Sequence, residues 1–263
     1  VLIATVAFQA LLGMWTVTLL LKPAVVTAHL LGGMTTLALL LWLLHSSGDA
    51  RHTRESRYPS LENRSRNQSQ TPVREPVATS LRLHAALALL VIIIQIALGG
   101  WVSTNYAALA CRDFPTCNGA WLPEMDFAHA YRIFRELGQT IDGAPLPYAA
   151  LTAIHWTHRA GALIVALIAG SLAARLFARP EWQRWGAFLG IALLVQVGLG
   201  ISAVLLFLPL PLAVAHNVGA AALLCVTLAV NLRSWPLVHR ITRKNDKRQF
   251  SSLRPEVGRP NGR

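Results

Sequence analysis

Six apolar runs dominate this chain of 263 residues: roughly Val1–Leu21, Ala24–Leu44, Leu83–Val102, Tyr148–Phe177, Trp185–Leu208 and Leu212–Leu232. In hydrocarbon every backbone N–H and C=O must find its partner inside the protein, so apolar runs of about 20 residues fold as spanning helices. The expected fold is therefore an all-α membrane protein with six transmembrane helices. Composition agrees, with 54% hydrophobic and 14% charged residues. The net charge of +12 does not point to nucleic acid. The basic residues gather between the apolar runs, where membrane topology places them. Lys22-Pro23 separates the first two runs and Pro209-Leu210-Pro211 the last two. Both pairs read as tight helical hairpins, because proline cannot continue a helix across a turn.

The polar segments predict orientation. Segment 45–82 carries Arg51, Arg54, Arg57, Arg64, Arg66, Arg74 and Arg82, and its Ser, Asn, Gln and Pro content suggests a flexible linker. Arg175, Arg179 and Arg184 flank the next turn on that side, and the tail after Arg233 is strongly basic. On the other side lie Lys22 and a loop, 103–147, in which acids outnumber arginines. Excess Lys and Arg marks the cytoplasmic face, so the C-terminus is expected there. The chain starts inside an apolar run without Met or a basic flank, and reads as a fragment lacking an N-terminal part.

A repeat is visible. Gln9-x-x-x-Gly13 and His29-x-x-Gly32 recur as Gln196-x-x-x-Gly200 and His216-x-x-Gly219, at a constant offset of 187. A third set, Gln95-x-x-x-Gly99 and His158-x-x-Gly161, is split over two runs joined by the long loop. This predicts duplication of a four-helix bundle into an eight-helix protein with pseudo-two-fold symmetry. Residues 1–44 are then the second hairpin of the N-terminal half and 45–82 a cytoplasmic linker. Residues 83–234 form the C-terminal bundle with its outer loop, and 235–263 a cytoplasmic basic tail.

Ionisable groups where a helix enters lipid are costly and are usually kept for a purpose. The stretch His155-Trp156-Thr157-His158-Arg159-Ala160-Gly161 holds three of them. His29, His158 and His216 all fall within about two turns of the outer end of an inward-running span, hence at one depth. Each has a glycine one turn on, which leaves space beside the ring. Antiparallel helices can bring two imidazoles to opposite faces of one iron, so haem ligation is favoured over plain helix–helix hydrogen bonding. No Cys, Asp or Glu at that depth completes a zinc or copper site. His155 is left open between a group supporting the ligands, a proton carrier and a packing residue. Arg159 is left open between pairing with a haem propionate and reaching to the interface. Gln9, Gln95 and Gln196 are expected to hydrogen-bond between helices. Cys111 and Cys117 lie in the outer loop, where disulfides persist, and Pro115 bends the chain between them, so a disulfide is expected rather than free thiols. Trp101, Trp121 and Phe127 fit an interfacial belt, and Cys225 is read as packing.

The segments Gly99–Cys111, Asp113–Gly119 and Ile154–Gly161 resemble the haem A synthase family, and the likeness runs through the membrane part except the linker and tail. The resemblance implies oxidation of the C8 methyl of haem O to a formyl group, giving haem A for terminal oxidases. It implies a haem b between His158 and His216 and substrate haem at His29, which would be the catalytic position. It implies a disulfide between Cys111 and Cys117. Independently of it, His155 and Arg159 are candidate cofactor-binding residues beside His158. It places the protein in the cell inner membrane, with an electron donor and haem O synthase as partners, and leaves room for a homo-oligomer. The first hairpin of that family has no counterpart here, so the chain as given is expected to be inactive. Two other readings fit parts of the pattern. One is a b-type cytochrome that only carries electrons; the other, a transporter with inverted repeats, is weaker because both copies keep one orientation.

Overall fold

The computed structural model describes residues 1–55 and 79–235, with side chains described outside 48–55. Its elements are helices: α1 (Leu2–Thr18), α2 (Pro23–Glu55), α3 (Thr79–Thr104), the single turn α4 (Phe127–Ala130), α5 (Tyr148–Phe177), α6 (Gln183–Leu205) and α7 (Leu210–Ser234). Five of them, α2, α3, α5, α6 and α7, are long and apolar enough to cross a membrane. The sixth expected span is α1, apolar but 17 residues long. Helix α2 runs to Glu55, past the expected end of its apolar run, because no proline interrupts residues 45–55 and a formed helix extends cheaply. Residues 56–78 of the expected linker and nearly all of the expected tail, 236–263, lie outside the described residues, while 79–82 of that linker form the first turn of α3.

Helices α3, α5, α6 and α7 close into a four-helix ring, and α2 packs on α3 and α7 while carrying α1 on its far side. The ring's core is built from stripes at helical spacing. Leu81, Ala85, Ala88 and Ile92 of α3 meet Val165, Ala169, Leu172 and Leu176 of α5, with Leu189 and Leu193 of α6 and Leu223, Leu224 and Val230 of α7. Small residues in these stripes let backbones approach, which is how helices associate where water cannot drive them together. Asn231 adds a polar tie, its Nδ2 donating to the Ala85 carbonyl at 2.9 Å. Leu163, Leu167, Ile191 and Leu194 point outward and are exposed, as a lipid-facing surface requires.

The repeat extends into the backbone. Helix α1 ends with Leu20 N–H on Val17 C=O and Leu21 N–H on Thr16 C=O; α6 ends with Phe207 on Val204 and Leu208 on Ala203. These are the paired bonds of a Schellman ending. Leu20, Leu21, Phe207 and Leu208 all have φ between 54° and 59°, in the left-handed region that usually selects glycine. The same strained turn at the same offset of 187 shows that the two hairpins are copies in conformation as well as in motif.

Candidate functional site

Three histidines sit in three equivalent helix pairs: α1–α2, α3–α5 and α6–α7. In each pair the histidine of the second helix packs its ring on a glycine of the first. A Cβ added at Gly13, Gly99 or Gly200 would lie 3.1, 3.1 and 3.0 Å from Cε1 of His29, His158 and His216. The exchange is reciprocal. A Cβ at Gly32, Gly161 or Gly219 would overlap the amide oxygen of Gln9, Gln95 or Gln196. Each Gln-x-x-x-Gly therefore docks into a His-x-x-Gly as two knobs into two glycine hollows, which explains why each glycine lies one turn from its polar neighbour.

The glutamine amides complete the unit. Gln95 Nε2 donates to the His158 carbonyl at 2.9 Å and lies 3.0 Å from its Nδ1. Gln196 Nε2 lies 3.3 Å from His216 Nε2, and Gln9 Nε2 donates to the His29 carbonyl. Nδ1 of His29 and of His216 is buried without a hydrogen-bond partner, as is Oε1 of all three glutamines. Buried polar atoms are normally satisfied, so the free Nδ1 in two of the three units leaves those rings with a ligand position open. In the ring, α5 with His158 packs on α6, which in turn packs on α7 with His216. Among the described residues no three His, Cys, Asp or Glu side chains converge on a bare metal ion. Imidazoles held in apolar surroundings are groups that could hold a haem iron.

Helix α5 serves two purposes on two faces. His158 and Gly161 face Gln95, while Tyr148, His155 and Arg159 form a second stripe that grips the long loop. Arg159 Nη1 donates to the carbonyls of Asp113 and Thr116 at 2.8 and 2.7 Å, and Nη2 to that of Cys111 at 2.8 Å. Its Nε lies 3.2 Å from Nε2 of His155, whose Nδ1 faces the Cys111 N–H at 3.3 Å. Tyr148 donates to Ala110 C=O at 2.7 Å, and Trp156 Nε1 to Trp121 C=O at 2.9 Å. His155 is 4% exposed. The structure thus gives Arg159 a role outside the two considered from sequence: its guanidinium holds the loop's carbonyls.

The loop held in this way contains the Cys111–Cys117 disulfide, with Cα atoms 4.6 Å apart. Asp113 organises the turn inside it by accepting from Thr116 Oγ1 and from the N–H groups of Asn118 and Gly119. Those hydrogen bonds, Thr116 first, hold its carboxyl down at about 2. A second arginine, Arg135, anchors the loop's other half. It donates to Asn105 Oδ1 and to the carbonyls of Glu136 and Gln139, and its guanidinium lies 5.9 Å from the centre of the Trp101 ring. Trp101 is not in an interfacial belt as expected. It is 8% exposed, its Nε1 donating to Ala130 C=O, because it forms the floor under this loop. Trp121 is exposed. Arg135 left no motif in the sequence, since its partners, Asn105 and two loop carbonyls, are brought to it by folding; Asp113 stands in the Asp113–Gly119 segment, but its role in the turn is not read from it.

Taken together, the fold and site define a multi-pass helical membrane protein in which three equivalent helix pairs each present a half-buried histidine. The chain belongs to the COX15-CtaA family, described as cytochrome oxidase assembly protein, whose model matches residues 1–228. It is 40% identical over 234 residues to the heme A synthase of Shewanella oneidensis, covering 89% of this chain and 65% of that protein. It is 32% identical over 151 residues to the heme A synthase of Methylobacterium radiotolerans, covering 57% and 39%. It is 34% identical over 139 residues to that of Paracoccus denitrificans, covering 51% and 33%. The chain thus spans 65% of the first relative and less than half of the other two.

Proposed function

We propose that the protein of which this chain forms the described part is a haem A synthase, oxidising the C8 methyl of haem O to a formyl group and so supplying haem A for cytochrome oxidase assembly. The observation that supports this reading is the unit of a histidine ring seated on a glycine of the neighbouring helix, repeated at His29, His158 and His216. On this reading His158 and His216 hold a haem b, which supplies electron transfer when bound. His29 ligates the iron of the substrate haem. Gln95 and Gln196 set the orientation of the two ligand rings, as hydrogen bonds around a metal ligand commonly do. The haem iron would supply the oxidative chemistry when bound, and the chain's apolar side chains would keep water from the reacting methyl group. Arg159 and His155 act on the site from behind, by fixing the disulfide loop to the helix that bears His158. The eight-helix pseudo-two-fold arrangement, a long loop on the outer face, a cytoplasmic C-terminus and an inner-membrane location belong to the same proposal. So do an electron donor, delivery of haem O by haem O synthase and homo-oligomer formation.

The rival is a b-type cytochrome that carries electrons and leaves its haem unaltered. Extracting haem from cells with and without the gene separates the two. Haem A lost and haem O accumulated on deletion is the expected result; unchanged haem A assigns the protein to electron transfer.

A further inference from the structure

A recess of about 360 Å³ opens between the α1–α2 turn and the long loop, lined among others by Lys22, Val25, Phe134, Arg135, Glu136 and Thr140. It lies outside the three histidine units. Three sources of positive charge converge on it. The first is the N-terminus of α2, the positive end of the helix dipole. The second is the Lys22 ammonium. The third is Arg135, which is 5% exposed and whose Nε is buried without a partner. Among the described residues no carboxylate pairs with Arg135. A buried cation answered only by neutral dipoles is costly and favours an anion. The lone acid in the lining, Glu136, bridges to Lys22 at 2.9 Å. Around the recess Ile133, Phe134 and Ile141 are 57, 90 and 61% exposed, an apolar rim that suits a ligand with a greasy body and an acidic edge.

Lys22, Val25 and His29 share one face of α2, at helical spacings of three and seven. Seven residues at 1.5 Å each put His29 about 10 Å along the axis from Lys22. We propose that this recess is a carboxylate site, and that it takes the acidic side chains of the porphyrin whose iron His29 ligates. The inference rests on the reading of His29 as the substrate ligand. The recess would fix which edge of the flat ring faces the loop, and hence which methyl group is presented for oxidation.

Lys22 and Glu136 are both partly exposed, so changing them tests charge without disturbing the core. The protein in phosphatidylcholine nanodiscs is titrated with iron protoporphyrin IX and with its dimethyl ester, following total binding and the absorbance component lost in His29→Ala. The diacid binds more tightly than the diester. Lys22→Gln lowers that preference by about two- to fivefold and Glu136→Gln raises it by about as much, the range for partly exposed ion pairs. Equal binding of diacid and diester, or a preference that neither substitution moves, overturns the proposal and leaves the proposed function standing. A preference abolished by adding phosphatidylglycerol assigns the recess to a lipid headgroup and likewise overturns it. If His29→Ala removes no absorbance component, the substrate-ligand reading fails. The response of total binding to Lys22→Gln and Glu136→Gln then decides the anion site separately.

Discussion

Gly186 shows how little room a single residue has in this bundle. A Cβ there would come within 2.7 Å of the Ala173 carbonyl oxygen and 2.8 Å of Phe177 Cα, both backbone atoms that cannot swing aside. Gly190, one turn on, would meet only the Ala173 Cβ at 3.9 Å. Gly186→Ala should therefore cost about 1–3 kcal/mol, the usual penalty of overpacking, while Gly190→Ala is neutral or stabilising by up to about 1 kcal/mol. Unfolding midpoints of the two variants in detergent check the contrast. Asp113 gives a prediction in pH. Its carboxyl is lowered from the ordinary 3.8 to about 2 in the folded loop. A lowered folded value means support that is complete above about pH 4 and is lost as pH falls through about 2. Amide exchange at Asn118 and Gly119 should accelerate across that window and show no such window in Asp113→Asn. The histidines and glycines of the site were legible in the sequence, because ionisable residues in apolar runs stand out and their spacing repeats. The roles of Asp113, Arg135 and Arg159 were not, because most of their partners are backbone carbonyls or N–H groups, which every residue carries.

Helix α5 is the element on which the two halves of the site meet. One face carries His158 and the other carries Tyr148, His155 and Arg159, so the disulfide loop and the candidate ligand move together. Replacing Arg159 by Lys leaves a charge but cannot satisfy three carbonyls in a fixed fork. Hydrogen bonds from a charged group are worth about 1.5–3 kcal/mol, so local opening of the loop should become about tenfold more frequent or more. Reduction of Cys111–Cys117 by a phosphine, followed by thiol labelling, should speed up accordingly, with the helical content unchanged. An unchanged rate would show that the disulfide loop stands without α5. Element boundaries were legible where proline or a polar run marks the end of an apolar stretch, as at Tyr148 and Phe177. They were not at Glu55, where helix formers carry α2 beyond its apolar run. The left-handed turns at Leu20-Leu21 and Phe207-Leu208 were also hidden, since leucine and phenylalanine give no sign of that conformation.

For the molecule as a whole, the histidine units and the ring of four helices are one design. The closed ring α3–α5–α6–α7 brings the His158 unit and the His216 unit together, while the α1–α2 hairpin, a copy of α6–α7, carries His29 on its own. The duplication was readable from four residues at one offset, and the structure extends it to the backbone of the hairpin turns. What the sequence could not show is that glutamine and glycine belong to the histidine unit as a lock between helices, because that requires both helices side by side. The central claim is that His158 and His216 grip one haem and His29 a different one. The most direct measurement is the reduced-minus-oxidised absorbance spectrum of the purified protein beside His29→Ala, His158→Ala and His216→Ala, each matched for helical content by circular dichroism. The account predicts a low-spin b-type signal that His158→Ala and His216→Ala each abolish and His29→Ala preserves; a normal signal surviving in His158→Ala or His216→Ala would contradict it.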